Sequence, residues 1–172
     1  MMVQETVLKD GRSVSIRSYR ISDKESLISM YAQLSEESLR WSMPPYNRER
    51  IERWTSNLDN SIILVGAEKD RIAGHLQISI GTSPPFRAIG DLFIYIHQEY
   101  QNVGLGAALM TEGLRLAQAR HLHRVELTVV ADNHPALNLY EKIGFQREGL
   151  KRENYLGGDG RYHDEIIMGI LL

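Results

Sequence analysis

Apolar residues along the chain recur with two periods, and the strand-like period predicts seven strands. Alternation of apolar and polar residues predicts the first strand, at 13–19, and apolar runs predict the next four, at 61–67, 71–80, 90–96 and 124–130. A final hairpin of two strands is predicted at 145–155 and 161–172, around the turn "LGGDG".

The helical period predicts four helices, over residues 22–39, 48–58, 104–120 and about 135–143. In the first of them, Leu27 and Met30 begin an apolar stripe at helical spacing, and Ser22 and Glu25 have the spacing of a capping box. Gly144 is placed to end the last helix as its C-cap.

The order of these elements predicts an α/β (α+β) fold in one domain over residues 1–172. Strand 90–96, helix 104–120 and strand 124–130 form a βαβ crossover, so their strands should be parallel. The other strands are joined by hairpins and should be antiparallel. We expect a mixed central sheet of about seven strands with about four flanking helices.

Composition removes several classes of function. The 20 basic and 22 acidic residues leave a net charge of -2, which gives no broad footprint for nucleic acid. There is no cysteine, so disulfides, thiolate metal sites and a cysteine nucleophile are excluded. The six histidines form no metal-binding pair, and we expect no metal. Without a signal peptide or a run of about 20 apolar residues, we expect a cytoplasmic protein that avoids membranes.

The stretch "QNVGLG", residues 101–106, brings two glycines to the start of the third predicted helix. A helix N-terminus has free N–H groups and a positive dipole end, and glycines let a ligand approach its backbone. The stretch is therefore a candidate phosphate cradle, or else a tight turn that binds nothing. Leu109 breaks the dinucleotide fingerprint, and no Walker A sequence is present.

"QNVGLG" resembles the Q/R-x-x-G-x-G/A signature of the GNAT superfamily of N-acetyltransferases, which binds the pyrophosphate of acetyl-CoA. "ADNHPALNLYEKIGF", residues 131–145, is similar to the second cofactor segment of that family. Residues 147–169 resemble the C-terminal hairpin of members that acetylate small amines or amino acids, although protein N-terminal acetyltransferases share much of it. The resemblance covers nearly the whole chain and implies a parallel strand pair that splays apart.

The resemblance also implies roles for particular residues. The backbone of the strand that ends at residue 96 would pair with the pantetheine arm, and one of its N–H groups would polarise the thioester carbonyl. Asn133 would contact the arm, and Tyr140 would protonate the leaving thiolate. The implied cofactor-binding residues are Ile94, Tyr95, Ile96, Gln101, Asn102, Val103, Gly104, Leu105, Gly106, Ala107, Asn133 and Tyr140.

The roles of Tyr140 and Asn133 each have a structural alternative, and the sequence leaves three candidates for the general base. Tyr140 lies on an apolar stripe, where a core aromatic is the alternative to a proton donor, and Asn133 suits a plain helix cap. The attacking amine must lose a proton, and the candidate bases are Asp91, then Glu126, then Asp164. Without cysteine, direct transfer in a ternary complex is favoured over a covalent acetyl-cysteine.

The substrate wall is expected from residues 35–60 and 81–88, where Trp41, Tyr46 and Phe86 stand in predicted loops. Packing of these aromatics as a satellite core is an equal alternative. We expect an acetyl-CoA-dependent N-acetyltransferase of a small-molecule amine. A protein N-terminal acetyltransferase and a non-catalytic acyl-CoA sensor are the alternatives, and a homodimer is possible.

Overall fold

Eight strands form one sheet in residues 3–172, the part of the chain that the computed structural model describes. They are β1 (Gln4–Val7), β2 (Ser13–Ser18), β3 (Ser61–Glu68), β4 (Arg71–Ile80), β5 (Ile89–Ile96), β6 (Arg124–Val130), β7 (Gln146–Leu156) and β8 (Tyr162–Leu171). The sheet order is β1-β2-β3-β4-β5-β6-β8-β7. The pair β5–β6 is parallel and every other neighbouring pair is antiparallel, which confirms the predicted crossover.

Helices cover both faces of this sheet because successive residues of its central strands point to opposite sides. The helices are α1 (Lys24–Ala32), α2 (Glu36–Leu39), α3 (Arg48–Trp54), α4 (Leu105–Ala119) and α5 (His134–Ile143). On β3, Ile62 and Leu64 belong to the core under α4 and α5, whereas Ile63 and Val65 belong to the core under α1 and α3. β5 lies between these two cores.

The observed elements correct the sequence prediction in three places. β1 was not predicted, because its sequence "QETV" is short and mostly polar; it pairs with β2 at the edge of the sheet. The helix predicted at 22–39 is divided, since Ser35 caps α2 by accepting the Ser38 amide at 3.2 Å. α3 ends at Trp54 rather than at residue 58, and the Thr55 hydroxyl donates to the Ile51 carbonyl at 3.0 Å.

The capping box predicted at Ser22 and Glu25 is also wrong. α1 begins at Lys24, two residues later than predicted, and its N-cap residue is Asp23. Asp23 accepts a hydrogen bond from the Arg20 amide at 2.7 Å and pairs with Arg17 at 2.6 Å. An ion pair with β2 therefore fixes the start of α1.

The apolar C-terminal segment at 165–172 is covered by its own sheet. β8 lies between β6 and β7, and Ile166 and Met168 are buried in the core under α4 and α5. No helix within residues 3–172 has both the length and the apolar character needed to cross a membrane.

Candidate active site

The parallel pair β5–β6 opens into a fork. Within the described chain the two strands pair at three positions only, the last being Asp91 with Glu126. Beyond that point β6 pairs with β8, while β5 continues along β4 as far as Ile96. The backbone of β5 from Leu92 to Ile96 thus faces an open wedge, where an extended ligand can add hydrogen bonds as a strand does.

The N-terminus of α4 lies at the open end of this fork. Gly104 caps the helix with φ of +99°, a conformation that favours glycine. The first helical bond runs from the Ala108 amide to the Gly104 carbonyl at 3.1 Å. The amides of Leu105, Gly106 and Ala107 therefore have no helical acceptor, and no acidic residue occupies the first turn. This turn presents free donors to an anion.

The two glycines of the predicted phosphate cradle, Gly104 and Gly106, face different surroundings. A Cβ on Gly104 would meet no atom of the described chain within 4 Å, so this backbone is open towards a ligand. A Cβ on Gly106 would lie 3.2 Å from Leu139 of α5 and 3.7 Å from Ile96 of β5. Gly106 thus lets α4 pack closely against α5 and the end of β5.

The loop before α4 is held in place from two sides. The Gln101 side chain donates to the Ile96 carbonyl at 3.1 Å and to the Ser38 hydroxyl at 3.3 Å. From the β1–β2 turn, the Lys9 amide donates to the Val103 carbonyl at 3.0 Å and Arg12 donates to the Glu99 carbonyl at 2.6 Å. Sequence reasoning missed this support because it missed β1.

Asn133 and Tyr140 lie on α5, at the other border of the fork. Asn133 is the N-cap, and its side-chain oxygen accepts the Ala136 amide at 3.3 Å. Tyr140 is half-buried on the core that also contacts Ile94 and Ile96. Burial raises the pKa of Tyr140 to about 12, so its phenol is protonated at neutral pH.

The three candidate bases have different surroundings. Asp91 is the last β5 residue paired with β6. Desolvation by the protein around it, and then the negative charge of Glu126, raise the pKa of its carboxyl. Glu126 accepts the Arg124 guanidinium at 3.0 Å, and Arg124 also binds Glu148. Asp164 accepts the Glu153 amide at 2.8 Å. Asp91 therefore combines a raised pKa with a position where the fork opens.

The predicted substrate aromatics do not come together. Tyr46 reaches β5, where its hydroxyl is hydrogen-bonded to that of Tyr95, and it packs with Tyr31 at a ring separation of 5.0 Å. Trp41 instead lies 5.0 Å from the His163 ring. Phe86 is 57% exposed in the turn before β5, at the end where β5 and β6 are paired.

Tyr46 packs in a satellite core, as considered from the sequence, whereas Trp41 and Phe86 lie outside it. This core consists of the rings of Tyr31, Tyr46, Trp54, His75, Phe93 and Tyr95. His75 is fully buried there, accepting or donating one hydrogen bond to the Tyr31 hydroxyl at 2.9 Å. Burial lowers the pKa of His75 to about 3, so the ring is neutral. Trp54 packs on Phe93 of β5 at 4.7 Å, and this core therefore backs the fork.

A cleft of about 450 Å³ lies beside the C-terminal end of β6, lined by Arg40, Trp41, Asp132, Arg161, Tyr162 and His163. The His163 ring is bonded on both nitrogens, to Asp132 at 2.6 Å and to Asp159 at 3.2 Å. These carboxylates raise the pKa of His163. Sequence reasoning singled out Trp41 alone, because the other residues come from segments far apart in the chain.

The chain is similar to known acetyltransferases in both sequence and structure. The model of the Acetyltransferase (GNAT) family matches residues 27–145. Over 106 residues the chain is 33% identical to the L-amino acid N-acetyltransferase AaaT of Escherichia coli, covering 61% of this chain and 65% of that protein. Over 148 residues it is 31% identical to the N-alpha-acetyltransferase RimI of Mycobacterium tuberculosis, covering 85% and 87%.

The chain spans 44% to 65% of the length of AaaT and of two mycothiol acetyltransferases. Among solved structures, an acetyltransferase of the GNAT family from Streptococcus pneumoniae superimposes with a TM-score of 0.79 at 30% identity. The match covers 92% of this chain and 99% of that one. Since the family model covers more than half of the chain, including the fork and the glycine loop, the protein belongs to the GNAT family of acetyltransferases.

Proposed function

We propose that the protein transfers an acetyl group from acetyl-CoA to a primary amine of a small molecule, by direct attack in a ternary complex. The observation that carries this proposal is the fork between β5 and β6, which opens beside the glycine-led N-terminus of α4. An open strand edge and a set of free amides suit an extended arm that ends in a pyrophosphate.

The residues present fit acetyl-CoA. The amides of residues 103–107 would hold the pyrophosphate, with open space above Gly104. Gln101 and Asn102 would shape the loop. The β5 edge at Ile94, Tyr95 and Ile96 would bind the pantetheine arm, and one of its N–H groups would polarise the thioester carbonyl. Asn133 uses its side-chain oxygen for the helix cap, which leaves its amide NH₂ to donate to the arm.

Acetyl-CoA supplies the reactive thioester, and the chain supplies the proton transfers. Asp91 accepts a proton from the acceptor ammonium, so that the neutral amine attacks the carbonyl carbon. Its raised pKa makes it a stronger base than an ordinary aspartate. Tyr140 keeps its proton at neutral pH and donates it to the sulfur of the leaving thiolate as the carbon–nitrogen bond forms and the carbon–sulfur bond breaks. The second proton, which the nitrogen loses as the amide forms, restores the phenol through solvent.

Trp41 and Tyr46 are the proposed substrate-binding aromatics. Tyr46 lies on the β5 residue Tyr95, and Trp41 lines the cleft at the end of β6. Phe86 lies at the paired end of β5, so we leave it out of the proposed acceptor wall. The volume of this open cleft, about 450 Å³, is of the size that a small molecule occupies.

A protein N-terminus is the second candidate acceptor. The likeness to RimI, over 87% of that protein, favours it. A non-catalytic acyl-CoA sensor is the third candidate, and it gives no reason for a tyrosine at position 140. We also retain a homodimer and a cytoplasmic location as predictions, of which light scattering on the purified protein tests the first.

Release of free CoA from acetyl-CoA tests these functions together. The acceptor panel contains L-amino acids, polyamines, aminoglycosides and short peptides with free N-termini. Release with a small-molecule class supports the proposal, and release with peptides alone selects the protein acceptor. Absence of release, combined with a thermal shift on adding acetyl-CoA, selects the sensor.

A further inference from the structure

The cleft beside β6 has an uneven distribution of charge. Its cationic side chains are Arg40, Arg161 and His163, and its lining includes one carboxylate, that of Asp132. Asp159 lies just behind it and binds both His163 and Arg161. The question for a ligand is which of these charges already has a partner.

Both carboxylates are neutralised by the protein. Because both His163 nitrogens contact carboxylate oxygens, both must donate, and the ring is an imidazolium when both bonds are made. Asp132 is thus paired with His163, and Asp159 is paired twice, since the Arg161 guanidinium lies 2.9 Å from it. A second cation, such as a polyamine ammonium, would find no unpaired carboxylate in this cleft.

Arg40 is the charge left over. Its guanidinium lies 4.7 Å over the Trp41 ring, and it makes no ion pair with any residue between 3 and 172. The Tyr155 hydroxyl donates to the Ser42 carbonyl at 2.7 Å, and the Arg40 carbonyl lies 3.1 Å from the same oxygen and shares this proton, which anchors the backbone at this point. A fixed backbone and a stacked guanidinium present a preformed fork of donors to a planar anion.

We propose that the acceptor carries a carboxylate beside its amine, and that Arg40 binds this carboxylate while Trp41 contacts the acceptor's side chain. The inference rests on the proposed function and narrows its acceptor to an α-amino acid. The cleft borders Asp132, which is next to the cap residue Asn133 at the mouth of the fork. An amino acid held by its carboxylate in the cleft therefore lies beside the fork.

The test compares each L-amino acid with its own α-amide in the CoA-release assay. The two share the amine and the side chain, and they differ in the negative charge. The amide has the less basic amine and loses its proton more readily, so any preference for the acid comes from binding. We expect kcat/KM for the acid to exceed that for the amide about tenfold or more, the usual contribution of a charge-assisted pair.

Arg40→Gln is the decisive variant, with Arg53→Gln as its matched control. Arg53 is an exposed arginine on α3, outside the cleft. Arg40→Gln should bring the acids down to the level of the amides, leave the amides unchanged, and leave the KM for acetyl-CoA unchanged. Arg53→Gln should change none of these. An equal loss for acids and amides in Arg40→Gln would show a structural role and overturn the proposal.

Two further outcomes separate this inference from the proposed function. Acetylation of spermidine or of peptides, with amino acids inert, keeps the acetyltransferase and overturns the carboxylate site. If the preparation shows no turnover, calorimetry measures the binding of each L-amino acid to the protein in the presence of CoA. Binding that Arg40→Gln removes supports the site even without turnover, in which case the proposed function fails alone. Absence of binding overturns the site.

Discussion

The two sides of β5 offer different chemical groups to a ligand, main-chain groups on one side and side chains on the other. On the side of α4 and α5, the candidate cofactor site consists chiefly of main-chain groups, the edge of β5 and the first-turn amides of α4 behind Gly104, and two side chains of α5 complete it, Asn133 and Tyr140. On the side of α2 and the β7–β8 turn, the candidate acceptor site consists of side chains from separate segments, including Trp41, Asp132 and His163. Main-chain geometry can stay fixed while side chains vary, so substitutions on the second side should alter acceptor choice without altering the cofactor.

The largest effect, on the affinity for acetyl-CoA, should follow Gly104→Val, which places a side chain over the main-chain groups of the cofactor site. A branched side chain at φ of +99° costs about 1–2 kcal/mol of stability. It also fills the open space over the free amides and removes hydrogen bonds to a charged group. We expect acetyl-CoA affinity to fall about a thousandfold, measured by calorimetry, while the circular dichroism spectrum stays native.

Gly160→Val is the matched control for strain. Gly160 also has positive φ, +75°, and a Cβ there also meets no atom of the described chain within 4 Å. It lies in the β7–β8 turn, away from the loop before α4 and from the β1–β2 turn that supports that loop. Comparable loss of acetyl-CoA affinity in both variants would attribute the effect to general strain and break the assignment of the cofactor site.

The same contrast explains what the sequence could predict. The parallel pair β5–β6 and the glycine loop follow from local signals, a βαβ pattern and "QNVGLG" at the start of a helix, and seven of the eight strands are predicted. The opening of that pair into a fork is implied only by the resemblance to the GNAT superfamily. The acceptor cleft depends on packing between residues about 90 to 120 positions apart, such as Trp41 and His163. No periodicity encodes that contact. Its component His163 was one of six histidines without a distinguishing neighbour in the sequence.

Tyr140→Phe should have the second largest effect and should act on turnover alone. The change removes the proton donor and keeps the ring, which packs 6.1 Å from the Phe145 ring. We expect kcat to fall about a hundredfold with little change in acetyl-CoA affinity. Tyr19→Phe, at a buried tyrosine of the core under α1 and α3, is the control and should leave kcat unchanged. Unchanged turnover in Tyr140→Phe would assign Tyr140 to the core.

Asp91→Asn tests the group at the junction of the two sides. The folded-state pKa of Asp91 is raised, so the wild-type rate should rise with pH as this carboxyl ionises. The variant should lose about tenfold in kcat/KM, since water replaces part of the base's role, and should lose that rising limb. A pH–rate profile measured with one acceptor checks both. An unaltered pH–rate profile would show that Asp91 is not the general base and would make Glu126 the next candidate.

Stability should change in the opposite direction in the same variant. A carboxyl whose pKa is higher in the folded state destabilises the fold once it is ionised, and this cost disappears as pH falls through the folded pKa. Asp91→Asn should therefore melt above the wild type at neutral pH and level with it below pH 3.8, the ordinary pKa.

The smallest effect should come from His163→Gln, which loosens the acceptor side. The pKa of His163 is raised above its ordinary 6.5, so its bonds to Asp132 and Asp159 contribute fully below pH 6.5 and are lost as pH rises through the folded pKa. The difference in melting temperature between wild type and variant should accordingly be largest near pH 6 and should close at alkaline pH. At acid pH the ion pairs of Asp159 limit this stabilisation. The pKa of Asp159 is lowered, so these pairs are lost only as pH falls through its folded-state pKa.

At pH 6 the KM of His163→Gln for the acceptor should rise while its KM for acetyl-CoA stays constant, since the cofactor side is chiefly main chain. A parallel rise in both KM values would mean that the two sides of β5 are coupled, and the contrast between a main-chain site and a side-chain site would no longer hold.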